Sequence, residues 1–264
     1  MNTILLAVVA LGVIALLLAL ILYGASRRFA VHEDPRIAQV AEVLPQANCG
    51  GCGYPGCSGF AGACVEAGSL EGKRCPVGGQ AVMDRVAAIL GLQAEQAEPL
   101  VATVRCSGTC AVRPQVNVYD GARSCAILSS LCQGETACAY GCLGCGDCAA
   151  ACTFGGLQMN PSTGLPEVDA TVCTACGACA KACPRGLIEL RPRGRAEVLC
   201  ANRDKGGVAR KACASACIGC GKCVKTCPSG AIVLEDNLAH IDPQKCEACG
   251  KCVEACPQGV IVMN

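Results

Sequence analysis

Of 264 residues, 28 are Cys and none is Trp; aromatics make up 3% and charged residues 16%. So few large side chains cannot fill one ordinary core of this length, and something besides apolar packing must hold the chain together. With 22 basic against 21 acidic residues the net charge is +1, which excludes the basic footprint of a nucleic-acid binder. The two histidines, His32 and His240, supply neither a Rieske pair nor a Ser-His-Asp hydrolase with any economy, and no Cys-x-x-Cys-His is present for covalent haem.

Ile4 to Leu22 is an unbroken run of 19 apolar or small residues. As a helix it spans about 28 Å, the thickness of a bilayer's hydrocarbon core. Tyr23 stands at the exit, and Arg27 and Arg28 follow, which by the positive-inside rule puts the rest of the chain in the cytoplasm. A cleaved signal peptide would need a basic segment before the run and a small-residue cleavage site after it, and the run has neither. In a reducing compartment, 28 cysteines read as metal ligands rather than disulfides.

The first ligand group is Asn48-Cys49-Gly50-Gly51-Cys52-Gly53-Tyr54-Pro55-Gly56-Cys57, completed by Cys75. Three thiolates in a Gly-rich loop and one remote thiolate suit a [4Fe-4S] cluster, with zinc as the alternative for this spacing. Gly51-x-Gly53-x-x-Gly56 matches a dinucleotide fingerprint only formally, because no buried strand precedes it and cysteines interrupt the loop. Helices are expected to flank the group, one of them over Gln80–Leu90 with Val82, Val86, Ile89 and Leu90 on one face and Gly91 as its stop. Gln93–Leu100 reads as a linker.

Four copies of C-x2-C-x2-C-x3-C follow: Cys142, Cys145, Cys148, Cys152; Cys173, Cys176, Cys179, Cys183; Cys217, Cys220, Cys223, Cys227; and Cys246, Cys249, Cys252, Cys256. Pro follows the last three copies and Thr153 the first. Structural zinc prefers separated Cys pairs; these compressed quartets are the bacterial ferredoxin run, whose fourth Cys ligates the other cluster of a pair. The crossing joins Cys142, Cys145, Cys148 to Cys183 and Cys173, Cys176, Cys179 to Cys152. In the second half it joins Cys217, Cys220, Cys223 to Cys256 and Cys246, Cys249, Cys252 to Cys227. Short strands are expected at 187–190, 231–234 and 260–262, and short helices after each triplet.

A longer repeat encloses these runs. Cys125, Cys138, Cys142, Cys145, Cys148 and Cys152 recur 75 residues later as Cys200, Cys213, Cys217, Cys220, Cys223 and Cys227. Cys106, in the strand-like Val104-Arg105-Cys106, together with Cys125, Cys138, Cys200 and Cys213, could furnish a further cluster; the alternative is buried free thiols. In the first run Cys138, Cys142, Cys145 and Cys148 are four candidates for three positions. Cys64, Cys110 and Cys132 have no repeat partner and read as structural.

The anchor, the Asn48–Tyr54 loop with Cys57 and Cys75, and the ferredoxin runs together resemble the B subunit of the Rnf (Rsx) ion-translocating ferredoxin:NAD⁺ oxidoreductase complex, in its long form with two ferredoxin modules. The resemblance implies an electron-input component of a bacterial cell membrane complex, relaying electrons from soluble ferredoxin through [4Fe-4S] clusters to membrane redox subunits. The flavin and nicotinamide sites then belong to partner subunits. The expected fold is α+β: a transmembrane anchor over 1–28, a small [4Fe-4S] domain over 33–92, and two tandem 2[4Fe-4S] ferredoxin-like modules over 101–192 and 193–264. At least five clusters are expected, and six if the extra cysteines ligate. The competing reading is a membrane-anchored polyferredoxin feeding a hydrogenase or anaerobic reductase. Arg185, Arg191, Arg193, Arg195, Arg203, Lys205, Arg210 and Lys211, against three acids in the same stretch, read as a candidate docking surface for an acidic ferredoxin.

Overall fold

The computed structural model describes residues 2–28, 34–96 and 98–264. His32, the expected domain start at Glu33, and Ala97 in the expected linker lie outside the described residues. The chain opens with α1 (Asn2–Arg28), whose apolar side chains from Leu5 onward stand exposed along its length. It is the one described helix long and apolar enough to cross a membrane, with a mean hydropathy of 3.3 over its apolar window. At its end Arg27 lies 5.4 Å over the Tyr23 ring, a pairing suited to the interfacial zone.

Three helices form the next unit: α2 (Pro35–Val43), α3 (Gly56–Ala67) and α4 (Gly79–Leu90). Asp34 caps α2, accepting from the Arg36 N–H, and Pro35 occupies the first turn, where its missing N–H costs nothing. The α4 periodicity buries Val82, Met83, Val86 and Ala87, and Gly91 ends the helix in the left-handed conformation, as the sequence leads one to expect. Phe60, 1% exposed, is the centre of this core and meets Tyr54 edge-on at 5.6 Å. Phe60→Ala is expected to cost about 3–5 kcal/mol, read as a loss in the denaturant midpoint of α2–α4 unfolding.

From residue 100 onward the same arrangement is built twice. In the first unit β1 (Leu100–Val104) pairs antiparallel with β4 (Ile188–Pro192), while β2 (Leu157–Asn160) and β3 (Leu165–Val168) form a hairpin. In the second, β5 (Ala196–Val198) pairs with β8 (Ile261–Met263), and β6 (Ile232–Glu235) with β7 (Leu238–Ile241). The expected strands at 187–190, 231–234 and 260–262 thus each begin one residue later, and β1 stops at Val104, leaving Arg105 and Cys106 beyond its end. Two further helices, α5 (Cys125–Leu131) and α8 (Gly206–Ala212), precede the runs of their units.

Short helices α6 (Asp147–Ala150), α7 (Ala178–Ala182), α9 (Lys222–Thr226) and α10 (Lys251–Ala255) enclose the third Cys of each run rather than following the triplet. Each starts after a glycine at positive φ: Gly146 at 88°, Gly177 at 79°, Gly221 at 69° and Gly250 at 72°. A left-handed residue there reverses the loop between the second and third Cys, and Gly is the residue that adopts it without strain. The two units meet through Asn264, whose amide donates to Glu197 Oε1 at 3.0 Å and Thr103 Oγ1 at 3.3 Å. Glu197 is 2% exposed, and burial raises its carboxyl above the usual carboxylate range.

Candidate metal centres

The cysteines gather into foursomes, and most foursomes enclose a cavity. Cys49, Cys52, Cys57 and Cys75 line one between the Leu44–Gly50 loop and the start of α3. Asn48 shapes this loop by accepting from the Cys57 N–H at 2.8 Å, and the Gly78 N–H donates to Cys75 Sγ at 3.4 Å.

Cys152, Cys173, Cys176 and Cys179 line a second pocket, hereafter the Cys173 site. Cys217, Cys220, Cys223 and Cys256 line another, the Cys217 site. In both, the chain does cross: the fourth thiol comes from the partner run. Cys227 likewise stands near Cys246, Cys249 and Cys252, close enough that the charges of Cys246, Cys227 and Cys249 act on the Cys252 thiol. The fourth pocket of this type, the Cys142 site, contains Cys142, Cys148 and the crossed Cys183. Cys145, however, does not line it; Cys125 does.

Between the two units lies a central pocket lined by Cys106, Cys138, Cys200 and Cys213. Its symmetry is not the one the 75-residue spacing implies. Cys106 follows β1 by two residues and accepts from the Cys142 N–H at 3.5 Å; Cys200 follows β5 by two and accepts from the Cys217 N–H at 3.3 Å. Cys106 and Cys200 are therefore the equivalent pair, and Cys125 belongs elsewhere. The spacing misleads because 31 residues separate Cys106 from Cys138 but only 12 separate Cys200 from Cys213, so the first unit carries an insertion that brings a cysteine into phase by length alone. Asn202, 1% exposed, donates to Cys138 Sγ at 3.5 Å.

Do these residues fit an iron–sulfur cluster? Without metal these groups stay neutral thiols. Burial, and then the neighbouring Cys142, Cys125 and Cys183, push the Cys148 thiol up to about 12. Burial likewise pushes Cys142, Cys179 and Cys200 up to about 11. Such thiols become thiolates only beside a strong positive centre. One buried and one half-buried cation point to a negative group nearby. Arg113, 7% exposed, donates to the Cys142 carbonyl, and Arg185 donates to the Cys138, Gly141 and Gln133 carbonyls. Neither enters a salt bridge among the described residues. A buried guanidinium without an acidic partner is costly, and four thiolates around a +2 cube leave about −2 beside it. The donor sets and the unpaired cations both fit [4Fe-4S] clusters.

Part of the basic stretch between the units is engaged within the chain. Arg191 holds Glu189 at 2.8 Å and donates to the Ile241 carbonyl at 2.9 Å. Arg195 donates to the Cys246 carbonyl and reaches Glu98 at 3.3 Å, and Arg193 donates to the Ala170 carbonyl. With Arg185 also engaged, four of the eight cations tie loops together instead of facing a partner. Of the unmatched cysteines, Cys64 is fully buried in the α2–α4 core, its thiol pushed up to about 11 by burial, while Cys110 is exposed and Cys132 caps the end of α5.

Comparison with known proteins also points to iron–sulfur domains. A 4Fe-4S dicluster domain model matches residues 141–187 and 216–260, a second dicluster model matches 172–231, and a model for a putative Fe-S cluster matches 44–77. The chain is 44% identical over 247 residues to the B subunit of the proton-translocating ferredoxin:NAD(+) oxidoreductase complex of Clostridium ljungdahlii, covering 93% of this chain and 87% of that one. The chain belongs to this B-subunit family. The B subunit of the Na(+)-translocating ferredoxin:NAD(+) oxidoreductase complex of Acetobacterium woodii is equally 44% identical over 247 residues, across 93% of this chain and 74% of that one. Its counterpart in the ion-translocating oxidoreductase complex of Methanosarcina acetivorans is 41% identical over 223 residues, 84% of each chain. Two equally similar relatives are thus named for different ions, and a component of such a complex is membrane-associated, in keeping with α1.

Proposed function

We propose that the chain is the electron-transfer subunit of a membrane-bound, ion-translocating ferredoxin:NAD⁺ oxidoreductase (Rnf) complex, arranged as two tandem 2[4Fe-4S] modules behind a [4Fe-4S] domain and a single membrane anchor, with these domains on the cytoplasmic side. A bound [4Fe-4S] cluster supplies one-electron redox chemistry, at a potential tuned by hydrogen bonds to its sulfurs and by exposure. The twenty motif cysteines and the central foursome are the proposed ligands, which makes six clusters; at the Cys142 site Cys125 competes with Cys145 for one position.

One observation carries this reading: the foursomes form an unbranched succession. A Cβ on Gly51 would lie 2.7 Å from the Cys176 carbonyl oxygen, so the Cys49 loop rests directly on the Cys173 site. The crossed Cys152 and Cys183 join the Cys173 and Cys142 sites. The Cys142 and Cys217 N–H groups each reach a sulfur of the central foursome. Cys227 and Cys256 join the Cys217 and Cys246 sites. Among these cysteines only Cys49, Cys220 and Cys249 are exposed; Cys49 and Cys249 belong to the two end sites and Cys220 to the site beside the Cys246 end. A sensor or assembly scaffold has no need of such an order; a wire does.

The residues then divide the work. Backbone N–H groups orient the thiolates, Arg113 and Arg185 offset charge at the middle of the chain, and the exposed ends admit partners. Soluble ferredoxin meets the Cys217–Cys246 end, where Lys251 stands exposed and Lys222 at the surface, immediately before Cys252 and Cys223. The Cys49 end, next in sequence to α1, faces the membrane redox subunits. Replacing Lys222 and Lys251 with Glu is expected to slow reduction by an acidic ferredoxin by about tenfold at low salt, and less at high salt, by the loss of electrostatic steering. Stopped-flow reduction checks it: a small uncharged reductant should show no difference, and unchanged ferredoxin rates at low salt would remove this end as the port.

A further inference from the structure

The geometry points to Cys125, and not the motif residue Cys145, as the fourth protein ligand of the cluster at the Cys142 site. This deepens the cluster reading above and rests on it. In the Cys173 and Cys217 sites the second cysteine of the run, Cys176 or Cys220, lines the cavity with its two neighbours and the crossed thiol. In the Cys142 site the second cysteine is absent from the wall, and Cys125 completes the foursome with Cys142, Cys148 and Cys183. The Cys145 thiol stands beside the Cys125 thiol, with the Leu143 carbonyl 3.8 Å away, and is not part of the wall itself.

The chain fixes this exchange through Asp147. Its carboxylate accepts from the Cys125 N–H at 2.9 Å, the Ala126 N–H at 3.1 Å and the Ser124 hydroxyl at 2.9 Å. Asp147 itself opens α6, next to Cys148, so the start of α5 is clamped to the helix that carries the third ligand. The corresponding residues of the other runs are Ala178, Lys222 and Lys251, none of which can make this clamp. The insertion that carries Cys125 is likewise confined to the first unit. Clamp, insertion and displaced cysteine occur together, and one exchange of ligand accounts for all three.

Iron analysis and reduced-state EPR of the whole, anaerobically prepared chain test it. Cys125→Ala is expected to empty the site, lowering iron by about four per chain and removing one cluster's signal, while Cys145→Ala keeps both at the parent level. Loss from Cys145→Ala, or full retention in Cys125→Ala, overturns the assignment. Cys132→Ala, at the other end of the same helix, separates ligation from damage to α5: an equal loss there also overturns it. An unaltered chain without iron would instead overturn the cluster reading itself.

Discussion

The chain isolated without oxygen is expected to hold about 24 iron atoms, and their removal should unfold nearly everything after residue 100. The reason lies in what fills the two ferredoxin-like units. Their strands run three to five residues and pair only in twos, an arrangement with marginal stability in water. Their buried side chains are mostly Cys, Ala, Val, Leu and Ile, and neither Phe nor Tyr is among the buried residues of the core clusters. Burying such small side chains yields too little to offset the ordering of about 1.5 kcal/mol per residue. Thiol foursomes without metal add burial cost rather than support. The α2–α4 unit differs, since Phe60, Leu44 and Val86 pack in a helical core of their own. Chelation under oxidising conditions should therefore remove the strand signal and cooperative melting of residues 100–264, while much of the α2–α4 helical signal survives. Cooperative melting of the iron-free units would contradict this, and so would a preparation containing zinc in place of iron.

The sequence made the grouping of the thiols legible because the spacing that cluster chemistry favours repeats along it. Three thiols on one short loop need residues between them that can turn, and Gly144, Gly146, Gly219 and Gly221 announce that turn. The anchor was equally open, since nineteen apolar residues have few other uses. The hairpins were harder to see. Asp236 and Asn237, with φ of 47° and 61°, make the two-residue turn between β6 and β7, and Asp-Asn between Leu-Glu and Leu-Ala was a readable signal for it. The Asn160–Gly164 turn between β2 and β3 offered a similar clue through Asn160, whose side chain accepts from Ser162. What spacing alone could not reveal was the place of Cys125. An insertion of ordinary loop residues gave it the correct interval for the wrong partner, and only the pairing of β1 with β4 and β5 with β8 shows that Cys106 answers Cys200. The arginines could be read only in part, for a related reason. Charge density along a chain does not tell whether guanidinium groups face water or neighbouring carbonyls, and Arg185, Arg191, Arg193 and Arg195 face carbonyls.

Replacing Cys200 and Cys213 together with Ala is expected to lower iron by about four per chain and to break conduction between the two units. The central foursome draws two thiols from each unit, Cys106 and Cys138 from the first, Cys200 and Cys213 from the second. It is also the site touched from both sides, by the Cys142 N–H and the Cys217 N–H. The clusters on either side keep their own ligands, so they should still assemble and still be reduced by a small, strong reductant. Ferredoxin presented at the Cys246 end should then reduce only the clusters of the second unit, and NAD⁺ reduction by the assembled complex should fall by at least about 100-fold, a barrier increase of roughly 2.7 kcal/mol. Counting electrons taken up from ferredoxin, against those taken up from the small reductant, separates a broken wire from a misfolded one. Retained iron would return Cys200 and Cys213 to the status of buried thiols, and retained turnover at reduced iron would mean that electrons cross between the units without the central site.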